Sequence, residues 1–145
     1  MILITGGAWQ GKYTYAVRLE KSMRDDENKH ASGRREPPCT SEPPRTADGL
    51  TDPYEAAYRS VIIRGFHNYV RRLLRDGKGV EPFIEAVIRH NPHVIITSDE
   101  IGCGIVPVSA EERAWREAAG RAQARLAAES SRVYRLVCGV PQQLK

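Results

Sequence analysis

An α/β domain with a mainly parallel sheet flanked by helices is the fold this sequence predicts, on three observations. Apolar runs of strand length alternate with stretches whose apolar residues recur at helical spacing. The first run, Ile2-Leu3-Ile4, feeds directly into a glycine-rich turn that opens into a helix. A length of 145 residues, 41% of them hydrophobic and 28% charged, suits one globular domain with a real core and is too short for two.

The turn reads Gly6-Gly7-Ala8-Trp9-Gln10-Gly11-Lys12, the spacing G-x-x-x-x-G-K. Glycines at these places let backbone N–H groups curl around a polyphosphate. The lysine reaches the outer phosphates, and the following helix offers its positive end. The expected fold is therefore P-loop NTPase-like (RecA-like), with GTP or ATP held at the loop. Tyr13 stands where this pattern has Ser or Thr, whose hydroxyl holds Mg²⁺ at the phosphates. The tyrosine hydroxyl sits at the end of a long rigid ring, and Thr14 points about 100° away around the helix. Such a loop is expected to bind nucleotide and to hold Mg²⁺ weakly.

Tyr15, Ala16, Leu19 and Met23 share one helical face, so the first helix is expected to end near Met23. Prolines at 37, 38, 43 and 44, many charges and almost no apolar residues predict a flexible insert over residues 24–53. Residues 60–64 form a short buried strand. Residues 66–76 form a helix with Phe66, Tyr69, Val70, Leu73 and Leu74 on one face and Arg71, Arg72 and Arg75 largely on the other. A second short helix covers 81–90, and His93–Ser98 is the clearest internal strand. Ser109 and Glu112 have the spacing of a capping box for a helix reaching about Glu129, and Val133–Cys138 is the last strand.

The net charge of +4 fits an anionic ligand without requiring one. Cys39, Cys103 and Cys138 make neither a metal-ligand pair nor a disulfide framework and are expected to be buried or idle. No apolar run has the length of a membrane span and the chain opens on a strand, which predicts a cytoplasmic protein. A nucleic-acid-binding module would use Arg71, Arg72 and Arg75. The aromatics interleaved for base stacking are missing, so no nucleic-acid partner is expected.

Ligands of parallel sheets gather at the carboxyl ends of the strands. Those ends bring together the glycine-rich loop, Arg64-Gly65-Phe66-His67 and Ser98-Asp99-Glu100. Asp99 and Glu100 are then placed to orient Mg²⁺, to activate a hydroxyl or to cap a loop.

The pattern T-G-G-A-x-x-G-K at 5–12, with T-S-D-E-I-G-C-G-I-V-P at 97–107, resembles the adenosylcobinamide kinase / adenosylcobinamide-phosphate guanylyltransferase family. The likeness continues through Arg116-Glu117, Gly120-Arg121, Leu126-Ala127, Val133, Val137, Gly139 and Leu144-Lys145. It marks the chain as a compact, divergent member and implies two reactions of cobalamin biosynthesis. A nucleoside triphosphate gives its γ-phosphoryl group to a hydroxyl of adenosylcobinamide. GTP then gives GMP, by way of a histidine, to adenosylcobinamide phosphate; neutral imidazole suits that role as a nucleophile near neutral pH. The resemblance further implies nucleotide contacts from Gly6, Gly7, Ala8, Trp9, Gln10, Gly11, Lys12 and Tyr13 and from Gly33 and Arg34, a role for Glu100 near metal or substrate, and a trimer-like homo-oligomer.

The family's guanylylated histidine is followed by G-R at the third and fourth positions and by T-x-E at the tenth to twelfth. His30 has Gly33-Arg34 and Thr40-Ser41-Glu42 at that spacing. His67, just past a strand end beside the loop, is the rival, whereas His90 and His93 lie at the opposite sheet edge. Arg64 stands at an acidic family position, where it can clamp phosphate instead. The family's G-R-x-N-Q becomes Gly120-Arg121-Ala122-Gln123-Ala124. The alternative is a family member that binds nucleotide and has lost one or both reactions.

Overall fold

The computed structural model describes residues 1–31 and 45–145, with side chains described at 1–26 and 45–145. In chain order it contains β1 (Ile2–Gly6), α1 (Lys12–Ala31), β2 (Thr46–Asp48), a 3₁₀ turn (Tyr54–Tyr58), β3 (Ile62–Arg64), α2 (Phe66–Arg75), α3 (Val80–His90), β4 (Ile95–Thr97), α4 (Ala110–Glu129), β5 (Arg132–Val137) and β6 (Val140–Gln143). The strands form one sheet in the order β2-β3-β4-β1-β5-β6. Every pairing from β2 to β5 is parallel, and β6 closes the far edge antiparallel to β5.

Strand alternation sends successive side chains to opposite faces, and both faces are covered. Ile2, Ile4, Ile62, Ile95 and Leu136 pack with Ala16 under the inner stripe of α1, where Tyr15, Leu19 and Met23 also lie. Leu3, Ile63, Ile96 and Val133 face the other way, against Phe66, Tyr69 and Leu73 of α2, Phe83 and Ile84 of α3 and Leu126 of α4. The helix after β1 and the helix after β4 therefore leave on opposite sides of two neighbouring strands. That divergence opens a crevice at the carboxyl ends of β1 and β4, the place where ligands of open α/β sheets bind.

Both ends of the stretch 24–53 are regular, and residues 32–44 lie outside the described residues. Helix α1 passes Met23 and continues to Ala31 because no glycine or proline interrupts residues 13–32. Strand β2 has three residues, too few for an alternation signal; its parallel pairing with β3 makes it a strand. The hairpin into β6 was likewise not visible. Its turn residues Cys138 (φ 50°) and Gly139 (φ 79°) both sit left-handed, as a type I′ turn requires. Pro141, unfavourable inside a sheet, is tolerated on this edge.

Two further expectations need correction. Ser109 is the N-cap of α4, but its side chain makes no capping hydrogen bond, and the Glu112 side chain, instead of turning back to close a capping box, pairs with Arg71. Of the alternatives buried or idle, the first does not hold for Cys103 and Cys138, which are free thiols exposed on loops at the carboxyl edge of the sheet; Cys39 lies outside the described residues. No helix among the described residues is long and apolar enough to cross a membrane.

Candidate functional site

The glycine-rich turn is closed and shaped by its own backbone. Gly6 (φ 141°), Trp9 (φ 61°) and Gly11 (φ 81°) take the positive φ that lets the chain reverse between β1 and α1. The Trp9 side chain is 99% exposed, so it does not fill the concave side of the loop. Gln10 braces the loop from outside, its Oε1 accepting the backbone N–H of Cys138 in the β5–β6 turn. The first residue of α1 is Lys12, so the positive end of a 20-residue helix faces the same space.

Lys12 is only 7% exposed. Its Nζ donates to the Gly7 carbonyl of its own loop and lies 2.7 Å from Asp99 Oδ1, just beyond the end of β4. A buried ammonium is tolerated only with such partners. Both partners are exchangeable for phosphate oxygens, so the lysine is held within the loop by contacts that an outer phosphate can replace.

His67, in the first turn of α2, closes the third side of this cluster. The backbone N–H of Asp99 donates to its Nδ1 at 3.0 Å, and the Asp99 carboxylate lies 3.8 Å from its Nε2. Burial is the largest influence on this histidine and lowers its pKa; Asp99 opposes that shift and Lys12 adds to it. The ring is therefore neutral near pH 7, with its lone pair on Nδ1 engaged and its proton on Nε2. An imidazole in that state has no free lone pair to offer phosphorus, which disfavours His67 as a nucleophile.

Glu100 is brought to the same edge, and its backbone N–H donates to the Gly6 carbonyl at 3.0 Å. Its carboxylate is gripped bidentately by Arg135 of β5, at 3.1 and 2.9 Å. Gln123 of α4 reaches under the crevice and donates to Ser98 Oγ at 2.9 Å and to the Asp99 carbonyl at 2.6 Å. Arg135 was not singled out from the sequence, and neither was the pairing of Asp99 with Lys12. The alternation along β5, which puts Arg135 between the buried Tyr134 and Leu136, is the one feature of the sequence that points to it.

Tyr13 turns toward β2 and β3. Its hydroxyl meets Thr46 Oγ1 at 3.3 Å on β2, and its ring lies under Arg64. It supplies no hydroxyl at the loop, and among the described residues no group of three His, Cys, Asp or Glu side chains could hold a metal ion. Mg²⁺ at nucleotide sites is bound through one or two carboxylates together with phosphate oxygens. Asp99 beside Lys12 meets that minimal requirement, so the donor set fits Mg²⁺ through Asp99 and the nucleotide.

His30 is not brought to the loop within one chain. It lies near the far end of α1, about 27 Å from Lys12 at roughly 1.5 Å of rise per residue. Its side chain, Gly33 and Arg34 are outside the described residues. His90 and His93 are exposed near the amino edge of the sheet, away from the loop. The arginines of α2 are not a free basic face. Arg72 donates to the carbonyls of Gly49 and Asp52, while Arg71 stacks on Trp115 and pairs with Glu112. A surface hollow between the start of α3 and the middle of α4 includes none of the loop residues in its lining; of its charged residues Glu81, Glu117 and Arg121, the last two pair with each other.

The family model for cobinamide kinase / cobinamide phosphate guanyltransferase matches residues 17–144. That span begins after the glycine-rich turn, so the loop and the family match are separate observations. The chain is also similar to the bifunctional adenosylcobalamin biosynthesis protein CobU of Escherichia coli (strain K12) and to that of Salmonella typhimurium (strain LT2). Each is 28% identical over 180 aligned positions, covering 100% of this chain and 99% of the relative.

Proposed function

Because the chain belongs to the cobinamide kinase / cobinamide phosphate guanyltransferase family, we propose that it serves cobalamin biosynthesis in the cytoplasm, as a nucleotide-dependent kinase and guanylyltransferase acting on adenosylcobinamide and its phosphate. The observation that carries this reading is the seat of Lys12, a buried ammonium poised between the Gly7 carbonyl and the Asp99 carboxylate in an open glycine-rich loop. GTP or ATP binds with its phosphates against the loop amides of Gly6–Lys12 and the positive end of α1. Lys12 then exchanges Asp99 for an outer phosphate.

In the kinase half, the acceptor hydroxyl attacks the γ-phosphorus, the bond to the β-bridging oxygen breaks, and the nucleoside diphosphate leaves. Lys12 stabilises charge on the transferred group. Asp99, released from Lys12, would hold Mg²⁺ together with the phosphates; when bound, that ion neutralises charge on the β- and γ-phosphates. Glu100, restrained by Arg135, orients the acceptor side of the crevice. Gln123 keeps the Asp99 backbone in place from below.

In the transferase half, an imidazole lone pair attacks the α-phosphorus of GTP and pyrophosphate leaves. The phosphate of the acceptor then takes GMP from the nitrogen and restores the histidine. His67 has its lone pair engaged, so the role falls to His30, with Gly33 and Arg34 beside the nucleotide. With α1 intact, His30 meets a phosphate loop only when a second copy of the chain supplies one, so the working unit is a homo-oligomer.

A second reading is favoured by Tyr13, whose hydroxyl is spent on Thr46: a nucleotide-binding member of the family that has lost transfer activity. Incubation with α-labelled GTP separates the two. Acid-labile, base-stable labelling that is lost in His30→Ala and kept in His67→Gln supports the transferase. No labelling by a protein that binds GTP supports the second reading.

A further inference from the structure

Tyr13 and Arg64 form one cluster. Tyr13 presents a ring where the loop pattern calls for a small hydroxyl, and the Arg64 guanidinium carbon lies 5.3 Å from the centre of that ring. Arg64 ends β3 on the same face as Ile62, which packs toward α1. Its side chain thus emerges beside the first turn of that helix. Ile62 and Ile2 both pair with Ile95, which sets Arg64 level with Ile4 and two strands from β1. That separation is roughly 10 Å, and an extended arginine covers much of it.

Other arginines at this edge are saturated by the protein. Arg135 holds Glu100 bidentately, and Arg116 donates to the carbonyls of Gly102, Gly104 and Ile105. Arg64 differs. Among the described residues its polar partner is Asp48 at 3.7 Å, beyond hydrogen-bond reach, and its side chain is 55% exposed. Asp48 is anchored independently, its Oδ1 accepting the Leu50 N–H at 2.9 Å, so it stays in its turn when Arg64 moves. A planar fork of donors is therefore held on an aromatic shelf, the ring of Tyr13 in the first turn of α1. Its chemistry suits a phosphate dianion bound bidentately.

We propose that Arg64, seated on Tyr13, is a second phosphate-binding cation of the site, engaging the terminal phosphate of the nucleoside triphosphate or the phosphate of the acceptor. The inference rests on the nucleotide site proposed above. Titration of the full chain and of Arg64→Gln with GTP and with GDP tests it, together with the KM for cobinamide phosphate. A GTP affinity lowered about tenfold or more, with GDP affinity within about twofold, puts the contact on the terminal phosphate. Unchanged nucleotide binding with a raised KM for cobinamide phosphate puts it on the acceptor. Arg64→Lys should recover part of either loss, and Tyr13→Leu should reproduce part of it. Unchanged values for all three ligands overturn the inference, as does equal weakening of GTP and GDP with a lowered Tm, the mark of a merely structural role. GTP binding that depends on Lys12 but not on Arg64 defeats this inference alone. A folded wild-type protein that binds no GTP defeats both it and the nucleotide site.

Discussion

Removing the Lys12 ammonium should take away most of the response to nucleotide while leaving the ligand-free protein nearly as stable. In Lys12→Ala the Asp99 carboxylate loses its partner at 2.7 Å, but that side chain is 26% exposed and water replaces part of the interaction. The cost to the empty fold then sits near 1 kcal/mol rather than the roughly 3–5 kcal/mol of a fully buried pair. With triphosphate bound, the variant forfeits at least one or two charge-assisted hydrogen bonds at about 1.5–3 kcal/mol each, which weakens binding about 100-fold. Urea unfolding reads both effects. At GTP set to about 100 times the wild-type Kd, the wild type gains about 2.7 kcal/mol from ligand and the variant only about 0.4 kcal/mol. Asp99→Asn is the complementary change. Without Mg²⁺ it should bind GTP severalfold more tightly, because Lys12 no longer has to leave a carboxylate. A Lys12→Ala protein that gains the full wild-type stabilisation from GTP would refute the assignment of the loop.

Three other outcomes are expected. Gly6→Ala places a Cβ against the Leu136 carbonyl at a φ of 141°, so it should cost more than about 2 kcal/mol and lower Tm by roughly 8 °C; an unchanged Tm contradicts the close approach of β1 to β5. Gln123→Ala removes the donor to the fully buried Ser98 hydroxyl and to the Asp99 carbonyl, and urea unfolding should show a loss of about 1–3 kcal/mol. His67 has a folded-state pKa below the ordinary value of 6.5, so the unfolded chain binds more protons as pH falls through 6.5. Its contribution to stability is complete above that pH and is lost progressively below it. The slope from this one group cannot exceed about 1.4 kcal/mol per pH unit, and His67→Gln should flatten it. A pH profile unaltered by the substitution would show that His67 is not titrating in a buried place.

Local chemistry carried much of the fold. Ile2-Leu3-Ile4 before a glycine-rich turn specified a strand, a reversal with positive φ and a following helix because these depend on residues adjacent in the chain. The helices at 66–75, 80–90 and 110–129 were legible for the same reason, since their apolar residues recur within a few positions. The three-residue β2 was not, because it is a strand only by pairing with β3. Nor was β6, whose hairpin turn uses Cys138 in place of the usual asparagine or glycine. The limit of α1 was misplaced because its apolar stripe stops at Met23 while its helix-compatible residues continue.

What the sequence determined by itself is therefore the glycine-rich turn between strand and helix, the alternation of strands and helices and the family pattern, all of them read from residues close together in the chain. Tertiary structure alone decided which charges meet. It paired Lys12 with Asp99, gave Glu100 to Arg135, engaged the lone pair of His67 with a backbone amide and set Arg64 over Tyr13. The physical reason is that the strength of an electrostatic contact depends on distance and burial, and both are set by the order in which strands distant in the chain lie side by side.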